Sequence, residues 1–482
     1  MRSAPLAAAV ALSLASFATP VVAQQASAAR APDSLTERGT RPATPRHAAA
    51  QAAGFRALHV CTGLFSSGMS PELVERTAFT RSGSDAQLRT EVDQVARRVS
   101  VYFAEDMAPR VAVWRPNLGC TQLPIGASVE AASTLLRAWP DALKAPDFSD
   151  KPWPQGDRNA EARLPAARRA ALDVVIDAAF AGQSGAYQGD TWGVVVIKDG
   201  RIVGERYAPG YGPNVAARTN SMCKSLGATL VGVGVAKGLV DIHRKPALTE
   251  WSRLGDPRGQ ITIDHLLHMA SGLYTEGGGN PQAELYQSGA AAAEVSALNM
   301  IDARPGERFV YAGSDTILSV RALRQAVKDD AAFLSFPHRE LLWKIGMTRT
   351  VIETDWNDDV LVSGQCWSTA RDFGRFGMLY LADGVWNGER ILPAGWAKYV
   401  STPAPAQPTR SSGGGAGYGA QFWLYGGSEG LPAEAYSPGG ALGQYAMIIP
   451  SKKVVVVRRG LDRGGSFRIA KFSADVLAAL EP

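Results

Sequence analysis

The run Leu226-Gly-Ala-Thr-Leu-Val-Gly-Val-Gly-Val-Ala236 constrains the fold of this 482-residue chain more than any other segment. A helix here is apolar on every side, so it belongs inside the protein with other elements packed around it. Ser221-Met-Cys-Lys224 opens that helix and places a hydroxyl and an amine one turn apart on one face. A serine hydroxyl is a weak nucleophile until a neighbouring base takes its proton. Lysine serves as that base only when burial or nearby positive charge lowers its pKa. The buried helix supplies the desolvation, which makes Ser221 a candidate nucleophile and Lys224 its candidate base.

The chain around this helix has an uneven organisation. Residues 1–23 read as a cleavable signal peptide: Met1-Arg2, then an apolar stretch from Ala7 to Phe17 too short to span a bilayer, then Val21-Val22-Ala23. Residues 24–52 are rich in Ala, Arg, Pro, Thr and Gln without apolar periodicity, the composition of a disordered leader. A small N-terminal module is expected over 53–160 and a main domain over 161–482. The main domain opens with a predicted helix at Pro165–Ala181. A hairpin follows, Trp192–Lys198 and Arg201–Tyr207 about an Asp199-Gly200 turn. Strands return at Tyr418–Tyr425, Gln444–Ile449 and Lys453–Arg458, and a last helix runs from Phe467 to Leu480. Strands at both ends with helices between predict one α+β unit whose sheet joins the two halves. The absence of βαβ alternation argues against a doubly wound sheet.

A formal net charge of +5 is a small excess over so long a chain, and no basic stripe with interleaved aromatics occurs, so nucleic acid is not an expected partner. No segment after the signal has 18 uninterrupted apolar residues, so no stable membrane span is expected in the mature protein. With an export signal, the expected location is periplasmic or secreted. Of four cysteines, Cys61 and Cys120 flank one N-terminal segment and are the expected disulfide in an oxidising compartment. Cys223 and Cys366 could pair or remain free buried thiols; spacing does not decide between them. Two further patterns lack the context their chemistry needs. Gly426-Gly-Ser-Glu-Gly430 matches a nucleophile elbow, but Leu431-Pro432 and a loop follow it where a helix is required. His265 and His268 stand three apart without the carboxylate–histidine spacing of a zinc site, so no metal is expected.

From about Asp190 onward the chain resembles the serine β-lactamase and penicillin-binding-protein superfamily, whose signature includes S-x-x-K. It is most similar to class C β-lactamase-like hydrolases, including esterases and 6-aminohexanoate-dimer hydrolases. The likeness rests on Ser221–Lys224, Ile261–Leu273, Pro305–Tyr311, Thr369–Gly377 and Gly384–Pro393, taken in this order and spacing. It implies an antiparallel sheet flanked by terminal helices, with a mainly helical subdomain and here a small N-terminal extension. It further implies Tyr311 as a second catalytic element, and Ser314-Asp315 superficially matches the S-D-N element of class A enzymes. By the same resemblance, the N–H groups of Ser221 and of Ala441 or Gly440 would form an oxyanion hole. One departure stands out: neither K-T-G nor K-S-G occurs, and Ser437-Pro-Gly-Gly-Ala-Leu-Gly-Gln444 takes the third element's place, with no lysine to receive a β-lactam carboxylate. The implied activity is an exported serine hydrolase that cleaves an ester or amide of a small-molecule or peptide substrate through an acyl-enzyme on Ser221. No metal or organic cofactor is implied. The alternatives are a β-lactamase or D-alanyl peptidase, and a non-catalytic ligand-binding or sensor homologue. Loops at Tyr274–Gly289 and Gln407–Gly417 are expected to shape the pocket.

Overall fold

Thr44-Pro45 carries a helix-start signal, a hydroxyl followed by a residue with its φ already set. The computed structural model describes residues 44–77, 88–132, 144–275, 285–409, 417–463 and 467–481. The expected signal peptide, the expected leader up to residue 43, and much of the two expected pocket loops lie outside these residues. Helix α1 (Pro45–Phe65) begins at the Thr44 cap, whose Oγ1 accepts from the His47 N–H at 3.2 Å. The expected leader is therefore corrected at its end, since residues 45–52 are helical. Their alanines lack a polar–apolar period because α1 is buried along most of its length from Ala50 to Gly63. Helix α2 (Pro71–Thr77) follows, then an antiparallel four-stranded sheet in sequence order: β1 (Thr90–Asp93), β2 (Arg98–Val101), β3 (Arg110–Arg115) and β4 (Gly119–Gln122). A Cys61–Cys120 disulfide ties α1 to β4.

The rest of the described chain is α+β. It contains α3 (Ala166–Ala178), β5 (Thr191–Lys198), β6 (Arg201–Tyr207), α4 (Cys223–Ala236), α5 (Gly313–Val327) and α6 (Ala370–Leu381). Beyond these come β7 (Gly417–Tyr418), β8 (Trp423–Leu424), β9 (Tyr436–Ser437), β10 (Gly439–Gly440), β11 (Gln444–Ile449), β12 (Val454–Gly460) and α7 (Ile469–Leu480). The large sheet has the order β7-β8-β9-β11-β12-β5-β6, with β10 paired to β11, and its pairs are antiparallel. The Asp199-Gly200 turn has both residues at positive φ, 50° and 78°, as a two-residue hairpin requires. Where one strand is expected at Tyr418–Tyr425, two short strands occur instead. Gln421 turns the chain there at φ 64°, and its side chain is buried against the Leu266 and Leu267 carbonyls and the Thr316 hydroxyl.

The uninterrupted runs Val194–Ile197 and Val454–Val457 explain the layering, because a strand with no polar alternation must be covered on both faces. Val195, Ile197, Val455 and Val457 point into a core shared with α4 and α6. Val194, Val196, Val454 and Val456 point the other way, against the terminal helices α3 and α7. The two ends of the domain thus meet at β5–β12, where Val195 pairs with Val457. Helix α4 runs through the first of these cores. Its Gly232 lets the Trp396 indole lie against the helix backbone, where a Cβ would come within 2.6 Å of the ring. A Cys223–Cys366 disulfide fastens the start of α4 to a short strand, Cys366–Ser368, which itself pairs with Ala217–Arg218 just before Ser221.

Candidate active site

Ser221 sits in a single 3₁₀ turn, Asn220–Met222, that runs directly into α4. The turn is bracketed on one side by the Ala217–Arg218 strand and on the other by the Cys223–Cys366 bridge. Asn220 takes φ 49°, and its Nδ2 donates to the Ala441 carbonyl at 2.8 Å. That contact draws the segment between β10 and β11 up to the serine. Gly440 is needed there, since a side chain would collide with the Thr219 carbonyl and crowd the Met222 N–H.

Lys224 is one turn further along, only 2% exposed. Its Nζ donates to the Ser363 carbonyl at 2.7 Å and lies 3.4 Å from Ser221 Oγ. Among the described residues no carboxylate lies within ion-pairing distance of it, so burial is left uncompensated and pulls the amine down to about 7. Tyr311 completes the group. The Lys224 ammonium stands 4.8 Å from the centre of its ring, which is packed edge-on to Tyr418 and tilted against Trp423. Burial pushes the Tyr311 phenol up to about 12, and a hydrogen bond with Ser221 acts the other way. At neutral pH this corner therefore holds an amine poised between its two forms, a protonated phenol and a serine hydroxyl in contact with both.

The turn that faces Ser221 is held by charge. Asp462 N–H and Gln444 Nε2 both donate to the Leu442 carbonyl, at 3.2 and 3.0 Å, and Arg458 Nη1 donates to the Gly443 carbonyl at 2.8 Å. Arg458 is itself locked by a two-point pair with Asp462, both contacts at 2.8 Å, and both side chains are buried. Arg459, the next residue, donates to Gln444 Oε1 at 2.7 Å and to the carbonyls of Ser368, Ala217 and Arg218. It thus links the turn to the strand that leads into Ser221.

The structure brings Ser221, Lys224, Tyr311, Gly440 and Ala441 together. It places the other patterns elsewhere. Ser314 and Asp315 start α5, and Asp315 accepts from the Ser271 hydroxyl at 2.9 Å. His265 closes a capping box with Thr262, while His268 lies 3.3 Å from Asp264 and packs on Tyr399. Gly426–Gly430 ends in a short 3₁₀ turn with no helix after it. Sequence reasoning missed Ser363, whose contribution is a main-chain carbonyl, and Arg459, which has no motif around it. It also missed Tyr286, whose hydroxyl is hydrogen-bonded to Ser363 Oγ, the residue whose carbonyl accepts from Lys224.

The profile of the Beta-lactamase family matches residues 176–458, more than half of the chain, and the protein belongs to that family of serine hydrolases. Solved structures with the same fold include a Bacillus anthracis protein assigned as a 6-aminohexanoate-dimer hydrolase. It is 20% identical, with 70% of this chain and 96% of that one covered and a TM-score of 0.50. A Bacteroides dorei protein assigned as a β-lactamase is 20% identical over 64% of this chain and 98% of its own, at 0.53. A penicillin-binding-protein homologue from Caulobacter crescentus is 13% identical over 66% and 99%, at 0.52. At these identities the likeness is one of fold. No curated protein matches the chain.

Proposed function

We propose that the protein hydrolyses an ester or amide of a small molecule or short peptide through an acyl-enzyme on Ser221. The observation that carries this reading is the buried Lys224 amine, without a carboxylate partner among the described residues and 3.4 Å from Ser221 Oγ. Neutral Lys224 takes the hydroxyl proton as Ser221 Oγ attacks the substrate carbonyl carbon. The oxyanion that forms rests on the N–H groups of Ser221 and Ala441, with Gly440 letting the backbone come close. On collapse the carbon–oxygen or carbon–nitrogen bond breaks, and the leaving group takes its proton from Tyr311, which recovers it from protonated Lys224. Water then attacks the acyl carbon, gives a proton to the same relay and releases the acid with Ser221 restored.

The third element, Ser437–Gln444, offers no ammonium for a β-lactam carboxylate, which favours simple esters and amides over β-lactams and D-alanyl peptides. Export to the periplasm or beyond belongs to the same proposal. Two disulfides, and the absence among the described residues of a helix long and apolar enough to cross a membrane, are consistent with it. The test is intact mass after exposure to a fluorophosphonate. A single adduct on the wild type and none on Ser221→Ala is the expected result. No adduct on folded wild type would leave the ligand-binding reading in its place.

A further inference from the structure

The family match begins at residue 176, so α1 and the β1–β4 sheet stand outside it, yet β3 is bonded to the segment that carries Tyr286. Arg110, on β3, is completely buried at the junction of the two regions. Its guanidinium donates to the Ala50 carbonyl of α1 at 2.8 Å and to the Leu123 carbonyl after β4 at 3.1 Å. The same fork donates across the junction to the carbonyls of Gln287 and Ser288, at 3.0 and 2.9 Å. Two glycines permit the close approach of backbones that this requires. A Cβ on Gly54 of α1 would run into the Gln287 carbonyl, and Gly289, at φ 72°, would do the same to the Leu123 carbonyl.

The segment held in this way carries Tyr286. Its ring belongs to a small cluster with Leu285, Ala292, Ala293, Ile317 and Leu361, separate from the two large cores. Its hydroxyl meets Ser363 Oγ, and the carbonyl of that same Ser363 receives Lys224 Nζ at 2.7 Å. A buried amine has one lone pair, and the acceptor that takes one of its hydrogens helps decide where that lone pair points. A chain of contacts therefore runs from the N-terminal sheet to the base.

We propose that Arg110 is a positioning residue for hydrolysis, clamping residues 285–289 so that Tyr286 fixes Ser363 and Ser363 fixes the Lys224 amine against Ser221. The N-terminal module is then a working part of the hydrolase. This inference rests on the reading of Ser221 and Lys224 given above. Loosening the clamp admits water beside Lys224, so its pKa moves back toward that of an ordinary lysine and less neutral base is present at a given pH.

The test is the rate of fluorophosphonate labelling of the full chain, followed by intact mass across a pH series, for wild type, Tyr286→Phe and Arg110→Met. Both variants are expected to label about 10–100-fold more slowly at neutral pH, the scale set by a small misplacement of a reacting group. Both should also show a labelling midpoint displaced to higher pH, a change that a merely structural role would not produce. Wild-type rate and midpoint in a folded Arg110→Met or Tyr286→Phe protein would overturn the proposal. If Arg110→Met does not fold, Gly54→Ala takes its place with the same two readings, since its methyl wedges α1 away from Gln287. A wild type that does not label at all overturns the Ser221 assignment itself, whereas a labelling wild type with indifferent variants overturns only the clamp.

Discussion

The segment around Ser221 and the Gly440–Gly443 turn that faces it lie beside buried ionisable groups that are accommodated in opposite ways. On the Ser221 side the buried groups are relieved by losing charge: Lys224 is brought down to about 7, and Glu353, on the strand side of the Cys223–Cys366 bridge, is raised to about 8 by burial. On the Gly440–Gly443 side the nearest charged groups are paired, with Arg458 and Asp462 in a two-point contact that also holds the Gly443 carbonyl. A group that must pass a proton has to sit near the middle of its titration, which an unpaired buried amine does. A backbone donor that must stay still is better served by a fixed pair, because breaking it leaves an unpaired buried charge. The difference teaches which wall exchanges protons and which one holds position.

The largest effect expected from breaking this contrast is at the serine. Ser221→Ala should lower hydrolysis of an aryl ester by a factor on the order of 10⁴–10⁶ while leaving the thermal unfolding midpoint close to wild type. Next comes the base. Lys224→Met should cost about 10²–10⁴ in kcat/KM. In the wild type, kcat/KM should rise with pH through about 7, because the active form is the deprotonated amine, and that limb should disappear from the residual activity of the variant. Tyr311, held up at about 12, stays protonated across that range and contributes no limb of its own.

On the static side, Gly443→Ala would push a methyl into Arg458 and Asp462 at a position with φ 82°. We expect kcat to fall by about 10²–10³, the worth of a displaced oxyanion donor, with the pH midpoint of the surviving activity unmoved. A shifted midpoint there would merge the two walls into one network and remove the distinction drawn between them.

The smallest effect sharpens the comparison through stability. Glu353 accepts from the Thr62 hydroxyl and from Trp367 Nε1, the latter at 3.2 Å, and both donors would serve a glutamine equally. Its folded pKa lies above its unfolded value, so the protonated carboxyl favours the folded state fully below about 4.5, and that stability is lost as pH rises toward about 8. Glu353→Gln should therefore leave stability unchanged at acid pH and increase it by about 1–3 kcal/mol above the folded pKa. Urea unfolding at the two pH values measures this directly, and an equal effect at both would mean that folding does not raise the Glu353 pKa.

What could be read from the sequence was what local spacing determines. Ser221 and Lys224 share a face because of helical geometry alone, and the apolar run after them already implied burial. The valine runs at 194–197 and 454–457 and the Asp199-Gly200 turn were equally plain. The remainder of the site depends on segments far apart in the chain. Ser363 contributes a carbonyl, which any residue has, and Arg459 contributes hydrogen bonds to other carbonyls, which no pattern records. Residues 45–52 were misjudged because an alanine-rich helix buried on most sides shows no stripe, so tertiary packing rather than periodicity makes it a helix. Gln421 divided an expected strand because its amide satisfies three buried partners at once, a requirement set by α5 and by residues 266–267.

The place of β12 in the large sheet has a consequence for how the molecule is made. It lies between β5 and β11, so the strand that joins the beginning of the domain to its end is synthesised after every other strand of that sheet. Until it arrives, β5 has a valine-rich edge without its neighbour, and the loop that must close to bring Val457 to Val195 spans most of the domain. Such topology makes folding slow and late rather than stepwise during translation. A nascent chain of this kind remains threadable through a narrow channel until β12 is made. Over the same interval it offers an edge to which other unfinished chains can add, so shielding by a chaperone matters most until β12 emerges.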